Sequence, residues 1–229
     1  MRSQATGTTP TDTPPDLRAR RRAARRAENR AEILDAAERV FGERGVRAGS
    51  LREIALLSGF STAAIYLFFD NKQHLLSETL TRRGAELIGT LQTAAEGDGS
   101  PLEKLHRVVD VTVAFFEARP DFRRLLRHIN GGTLIIGPAL ADYGDAGGSF
   151  TKAMTLLAGI VTDGQKAGEI RDGSARAIAH FYSVLINEHV LLATRDESNI
   201  GTLTPQQFHA LIDGMLRNAP HLTRKHDIR

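Results

Sequence analysis

The sequence predicts an all-α fold of about nine helices. Two observations carry this. Apolar residues recur at three- and four-residue spacing through most of the 229 residues, and no segment shows a convincing alternation of the strand type. Start and stop signals also punctuate the chain: Ser or Asp followed three residues later by Glu or Gln, and Gly or Pro where the periodicity ends.

Residues 1–16 are Thr- and Pro-rich and read as a disordered tail. Residues 17–30, LRARRRAARRAENR, hold seven Arg and one Glu, a local +6 in a chain whose net charge is +3. The rest therefore sums to −3. A basic block on a slightly acidic body suits a polyanionic partner, against the plainer alternatives of a solvated arm or a helix extension. Arg20, Arg21, Arg22, Arg25 and Arg26 are its candidate contacts to DNA. Further on, Ile33, Leu34, Ala37, Val40 and Phe41 share one face of a first amphipathic helix. It is expected to end near Arg44, capped by Gly45.

Ser50 and Glu53 form a capping box for a second helix that Gly59 stops. Ser61 caps a third, expected to run to about Phe69. Asp70 and Gln73 offer another box for a long fourth helix, about 71 to 95, which EGDGSP breaks. Apolar residues from Leu102 to Phe116 make a fifth helix, ended by Arg119-Pro120, and a short one follows at 121–129. Residues 131–148 are Gly-rich and read as a loop or lid. Helices resume at about 149–167, 174–194 and 204–218.

Residues 51–69 have helix-turn-helix spacing. Ala55 is small where two helices cross, and Gly59 supplies the sharp turn. Leu51, Ile54, Phe60, Ile65 and Phe68 are its expected core, and Ser58 is more polar than that face prefers. A recognition helix enters the major groove by its N-terminal end, which explains the small residues of STAAIYLFFDNK. Ser61 and Thr62 suit base edges or phosphate, and Ala63 and Ala64 suit a thymine methyl. Tyr66 and Lys72 suit phosphates, and Ser50 and Arg52 flank the unit. A plain three-helix bundle is the competing reading, and the Arg block upstream weighs against it.

Residues 30–76 resemble the N-terminal domain of TetR-family transcriptional regulators. The resemblance rests on ILDAAERVFGERG at 33–45, LREIA at 51–55 and IYLFFDNKQHLL at 65–76. It implies an N-terminal DNA-reading domain, here 17–72, and a C-terminal domain, here 73–229, that dimerises and binds a small effector which releases operator DNA. The expected partners are therefore double-stranded operator DNA, a second copy of the chain and a small lipophilic effector. Two positions depart from the pattern: Thr62-Ala63 stands where Lys-Gly is frequent, and Leu67 where His, Tyr or Arg is frequent. The Arg block is expected to compensate, as an arm on phosphates or in the minor groove.

In the body, an effector pocket is expected among the fourth to eighth helices. Its candidate lining is His106, Val109, Phe116, Phe122, Leu126, His128, Tyr143, Phe150, Met154, Phe181 and Asn187. The segment 174–194 is apolar on more than one face, which suits a dimer interface through Ile178, Tyr182, Leu185, His189 and Leu192. The last helix adds Phe208, Leu211 and Met215.

The chain has no Cys, which excludes disulfides and cysteine-ligated metals and suits a reducing cytoplasm. No secretory signal and no membrane span are evident, and the expected place is the cytoplasm. Neither HExxH nor GxSxG occurs, and no cofactor or metal is expected. The alternative function is a DNA-binding protein without an effector, acting through a protein partner or on DNA organisation.

Overall fold

A computed structural model describes residues 17–129, 146–193 and 203–217. The expected tail, Tyr143 and most of the Gly-rich stretch lie outside the described residues. Nine helices are present and no strand occurs among the described residues: α1 Leu17–Ala48, α2 Leu51–Ser58, α3 Thr62–Ile65, α4 Lys72–Glu96, α5 Pro101–Glu117, α6 Pro120–Ile129, α7 Ala146–Lys166, α8 Ala175–Ala193 and α9 Pro205–Leu216.

Helices α1 to α3 and the start of α4 make a small head. Ile33, Leu34, Phe41, Ile54, Ile65 and Phe69 are almost wholly buried there. Each such side chain contributes about 1.5–3 kcal/mol relative to exposure. The Ser50 capping box forms: its hydroxyl accepts from the Glu53 amide and the Glu53 carboxylate accepts from the Ser50 amide. Those bonds from Ser50 hold the Glu53 carboxyl below its ordinary range. Gly59 takes φ 75° and its N–H reaches the Ala55 carbonyl, as the tight turn requires. Ser58 is accommodated because its hydroxyl donates to the Ile54 carbonyl at 2.7 Å.

Three expectations are corrected in the head. The basic block is helical from Leu17 onward, a rigid extension of α1 rather than an arm, and the helix breaks at Gly45 (φ 77°, ψ 160°) before one further turn. The third helix is only four residues long; beyond Ile65 the chain tightens into bonds such as Phe68 N–H to the Ile65 carbonyl at 2.9 Å. That tightening turns Phe69 into the core. Asn71, not Asp70, caps α4 by accepting from the His74 amide at 2.8 Å, while Asp70 gives its own N–H to His74 Nδ1. The tight turn delays the helix start by one residue.

The body is built around α4, against which α5 and α7 pack, with α8 behind α7 and α9 resting on α5 and α8. Boxes at Ser100–Glu103 and Thr204–Gln207 open α5 and α9. Helix α7 begins at Ala146, inside the stretch expected to be a loop. Helix α6 packs on α1, so closely that a Cβ on Gly42 would lie 2.5 Å from the Asp121 carbonyl oxygen. A chain of charges also joins head and body. Arg83 Nε meets Glu38 at 2.6 Å and Asp35 at 3.3 Å through Nη2, its Nη1 meets Glu86 at 2.9 Å, and Arg119 meets Glu86 at 3.3 Å. Burial pushes the Glu38 carboxyl above its ordinary range, and the Arg83 guanidinium offsets only part of this.

Candidate nucleic-acid interface and apolar cleft

The exposed side of the head collects Ala63, Tyr66, Leu67 and Arg52, with Ser61 at the front of α3. Ser61 Oγ accepts from the Ala64 amide at 3.1 Å, which fixes the first turn. Thr62 and Ala64 are half-buried. Tyr66 is 53 % exposed and Leu67 72 % exposed, so both rise from the surface just after the reading segment. Leu56 and Leu57 are exposed as well. The sequence reading did not assign them, because they lie off the apolar stripe of α2.

Three proposed contacts are partly committed inside the protein. Both ends of the Ser50 hydroxyl engage Glu53. Lys72 Nζ donates to the Arg47 carbonyl at 3.2 Å and lies 5.9 Å from the centre of the Phe41 ring. Arg26 Nη2 donates to the Leu67 carbonyl at 3.1 Å and its guanidinium sits 5.1 Å from the Phe68 ring centre. Arg20, Arg21, Arg22, Arg25 and Arg52 are exposed. A helix about 10–12 Å across is wider than a minor groove of about 6 Å, so only the side chains of the helical block can reach into one.

In the body an apolar cleft opens between α4, α5, α6, α7 and α8. About 750 Å³ of space, its mouth included, is unfilled by atoms, but only about 70 Å³ of it stands more than a water radius from every wall. It is a slot rather than a chamber. Phe116, Phe122, Leu126, Phe150, Met154 and Asn187 line it, as the sequence reading proposed. Helix α4 adds Leu80, Gly84, Leu87, Ile88 and Leu91, which the sequence reading did not name although it placed the pocket among the fourth to eighth helices. No described lining residue is charged. The Thr112 and Ser183 hydroxyls are spent on the Val108 and His180 carbonyls, whereas the Asn187 carboxamide has no partner among the described residues.

Four other candidates are elsewhere. His106 Nε2 lies 2.8 Å from Asp213 and its ring stacks on His209 at 4.4 Å, docking α9 on α5. His128 Nε2 donates to the Gly42 carbonyl at 3.1 Å, between α6 and α1. Val109 is buried in the core outside the slot. Phe181 is 65 % exposed and faces away.

The outward apolar face of α8 and α9 is also rearranged. Tyr182 is fully buried, its hydroxyl bonded to the Leu105 carbonyl, and burial pushes its phenol well above the ordinary range. His189 is buried against the Phe208 ring at 4.0 Å, and Phe208 is buried too. These three belong to the protomer's own core. Leu192 is half-buried. Phe181, Ile178, Val184, Leu185 and Met215 instead border a shared surface hollow, and Leu211 is 50 % exposed.

An exposed helix-turn-helix head on an all-helical body defines the class of helix-turn-helix transcriptional regulators. The pattern describing bacterial regulatory proteins of the tetR family matches residues 33–79. Residues 33–79 thus carry that family's N-terminal signature, and the relatives that the chain matches are transcriptional regulators rather than enzymes. The chain is 25 % identical over 154 residues to the fatty acid metabolism regulator protein of Bacillus subtilis (strain 168), covering 62 % of this chain and 71 % of that protein. It is 34 % identical over 87 residues to the transcriptional repressor KstR2 of Mycolicibacterium smegmatis, covering 38 % of this chain and only 41 % of that one. The solved structure of FadR from Bacillus subtilis in complex with stearoyl-CoA shares the fold, with a TM-score of 0.64 at 20 % identity over 81 % of this chain and 94 % of that one. Among the described residues, no helix is long and apolar enough to cross a membrane.

Proposed function

We propose that this regulator is a cytoplasmic repressor, an operator-binding homodimer released from DNA by a small lipophilic effector. Residues 17–72 read DNA through Ser61, Thr62, Ala63, Ala64, Tyr66 and Lys72. Residues 73–229 hold the effector and the dimer interface. One observation carries the reading: the slot shares its walls with the helices that bear on the head. Helix α4 begins in the head at Lys72 and lines the slot from Leu80 to Leu91; α6 lines it through Phe122 and Leu126 and packs on α1 at Gly42. A ligand that spreads the slot thus has a direct route to the angle of the head.

The slot's chemistry supports a lipophilic occupant, since its lining is apolar and uncharged apart from a few hydroxyls and Asn187. A related regulator is named for fatty acid metabolism, and the FadR structure holds stearoyl-CoA. The dimer would use the face of Ile178, Phe181, Leu185, Leu211 and Met215.

The test uses a duplex selected by the protein from a random-sequence pool and a panel of long-chain acyl thioesters and sterols. A binder should raise the melting temperature saturably and weaken the duplex complex. By linkage, the duplex must weaken that ligand by the same factor. Equal ligand affinities with and without duplex would rule out the switch.

A further inference from the structure

The Arg block is a straight helical rod fixed to the head by one of its own faces. Arg26 holds the Leu67 carbonyl and covers the Phe68 ring; four residues on, Arg30 pairs with Glu78 and covers the Phe69 ring at 5.2 Å. Both anchors grip the segment just after the recognition helix. Because α1 is regular there, they fix the rotation of every residue before them.

Successive residues turn by about 100° around a helix. Arg21, Arg22 and Arg25 therefore fall within an arc of about 100°, and Arg18 continues the same stripe outward. Arg20 lies on the opposite side. About 6 Å of rise separates Arg21 from Arg25, close to two phosphate steps along one DNA strand at about 3.4 Å each. Arg20, Arg21, Arg22 and Arg25 are all exposed and hold no partner among the described residues, and within α1 no acid precedes Glu28. A rod bearing cations at its N-terminal end works against the helix dipole, and its like charges repel one turn apart; anions along the stripe relieve both.

We propose that Arg21, Arg22 and Arg25 form a rotationally fixed phosphate-binding stripe, which seats the rod along one strand of the DNA flanking the half-site. Arg26 and Arg30 are positioning residues that set its angle. The stripe contributes register and footprint rather than base recognition. It rests on the operator-binding reading above but makes a demand of its own: direction around the rod must matter, not charge alone.

The experiment measures affinity and salt dependence on the selected duplex. Arg21→Ala and Arg25→Ala should each weaken binding roughly five- to tenfold near 0.1 M salt and shallow the salt slope by about 0.9 per protomer. Arg20→Ala removes the same charge from the far side and should stay within about twofold of wild type. The pair Ala23→Gly, Ala24→Gly keeps every charge but loosens the rod, and should lose affinity and the hydroxyl-radical protection flanking the half-site. Equal losses at Arg20 and Arg25, or wild-type binding by the Gly pair, would overturn the stripe and leave a flexible source of charge. If the wild type selects no duplex, the operator-binding reading itself fails, and the stripe with it.

Discussion

Tyr66 stands free of the head surface, with its ring beside the exposed Leu67 and its hydroxyl unpartnered among the described residues. Replacing it by Phe keeps the ring and removes one hydrogen bond. Tyr66→Phe should weaken operator binding by about 1 kcal/mol with unchanged melting temperature. A titration showing wild-type affinity would remove Tyr66 from the interface. His189 makes a pH-dependent prediction. Burial lowers its pKa, the nearby His209 lowers it further, and Glu117 offsets part of this. The folded chain therefore favours neutral His189, while the unfolded chain protonates near the ordinary value of about 6.5. Below that pH the unfolded state binds the extra proton, so this contribution is complete above about 6.5 and is lost as pH falls toward the lower folded value. The melting temperature of His189→Gln should fall less than that of wild type between pH 7.5 and 5.5; parallel curves would refute it. Sequence placed many of these residues but not their directions. Tyr182 sits at apolar helical spacing, which says that it is buried but not by which surface. His106 looked like a pocket group because its partner, Asp213, is 107 residues away.

Among the elements, those with local signals were legible and those shaped by tertiary demand were not. Ser50 and Glu53 announce α2 because both halves of the box are three residues apart and nothing competes. Asp70 and Gln73 carry the same signal, yet Asn71 caps α4, because burying Phe69 shortens α3 and shifts the start that follows. The slot was half legible: aromatic residues on α5 to α7 flagged it, whereas α4 lent its apolar face without any mark in its own pattern. Two substitutions test this level. Gly42→Ala drives a methyl against the backbone of Asp121, which cannot swing aside as a side chain would. It should destabilise the protein by about 1–3 kcal/mol and alter operator affinity by tilting α6. Normal stability and affinity would show that this contact is slack. Ala153→Phe fills the slot from α7, and should abolish the thermal shift from any slot ligand. A retained shift would place the ligand elsewhere.

At the scale of the whole molecule, the described residues of α8 and α9 leave an apolar surface uncovered. Phe181 and Leu211 are more than half and half exposed, respectively, and Leu185 and Met215 border the same region. An obligate dimer buries on the order of 2,000 Å² or more, largely apolar. Leu211→Glu puts a carboxylate where a lone protomer has water, so the fold should survive while pairing fails. Sedimentation should find the variant monomeric and the wild type dimeric at micromolar concentration; a monomeric wild type would sink the dimer.

The split of charge along the chain has a further consequence. Residues 17–30 carry +6 and all else sums to −3, with the cations gathered at the far end of a rod. The protein is thus an electric dipole. In the field of a nucleic acid it experiences a torque as well as an attraction, and turns before it touches. Productive encounters should outnumber those expected from random tumbling, giving a fast association rate that falls steeply with ionic strength.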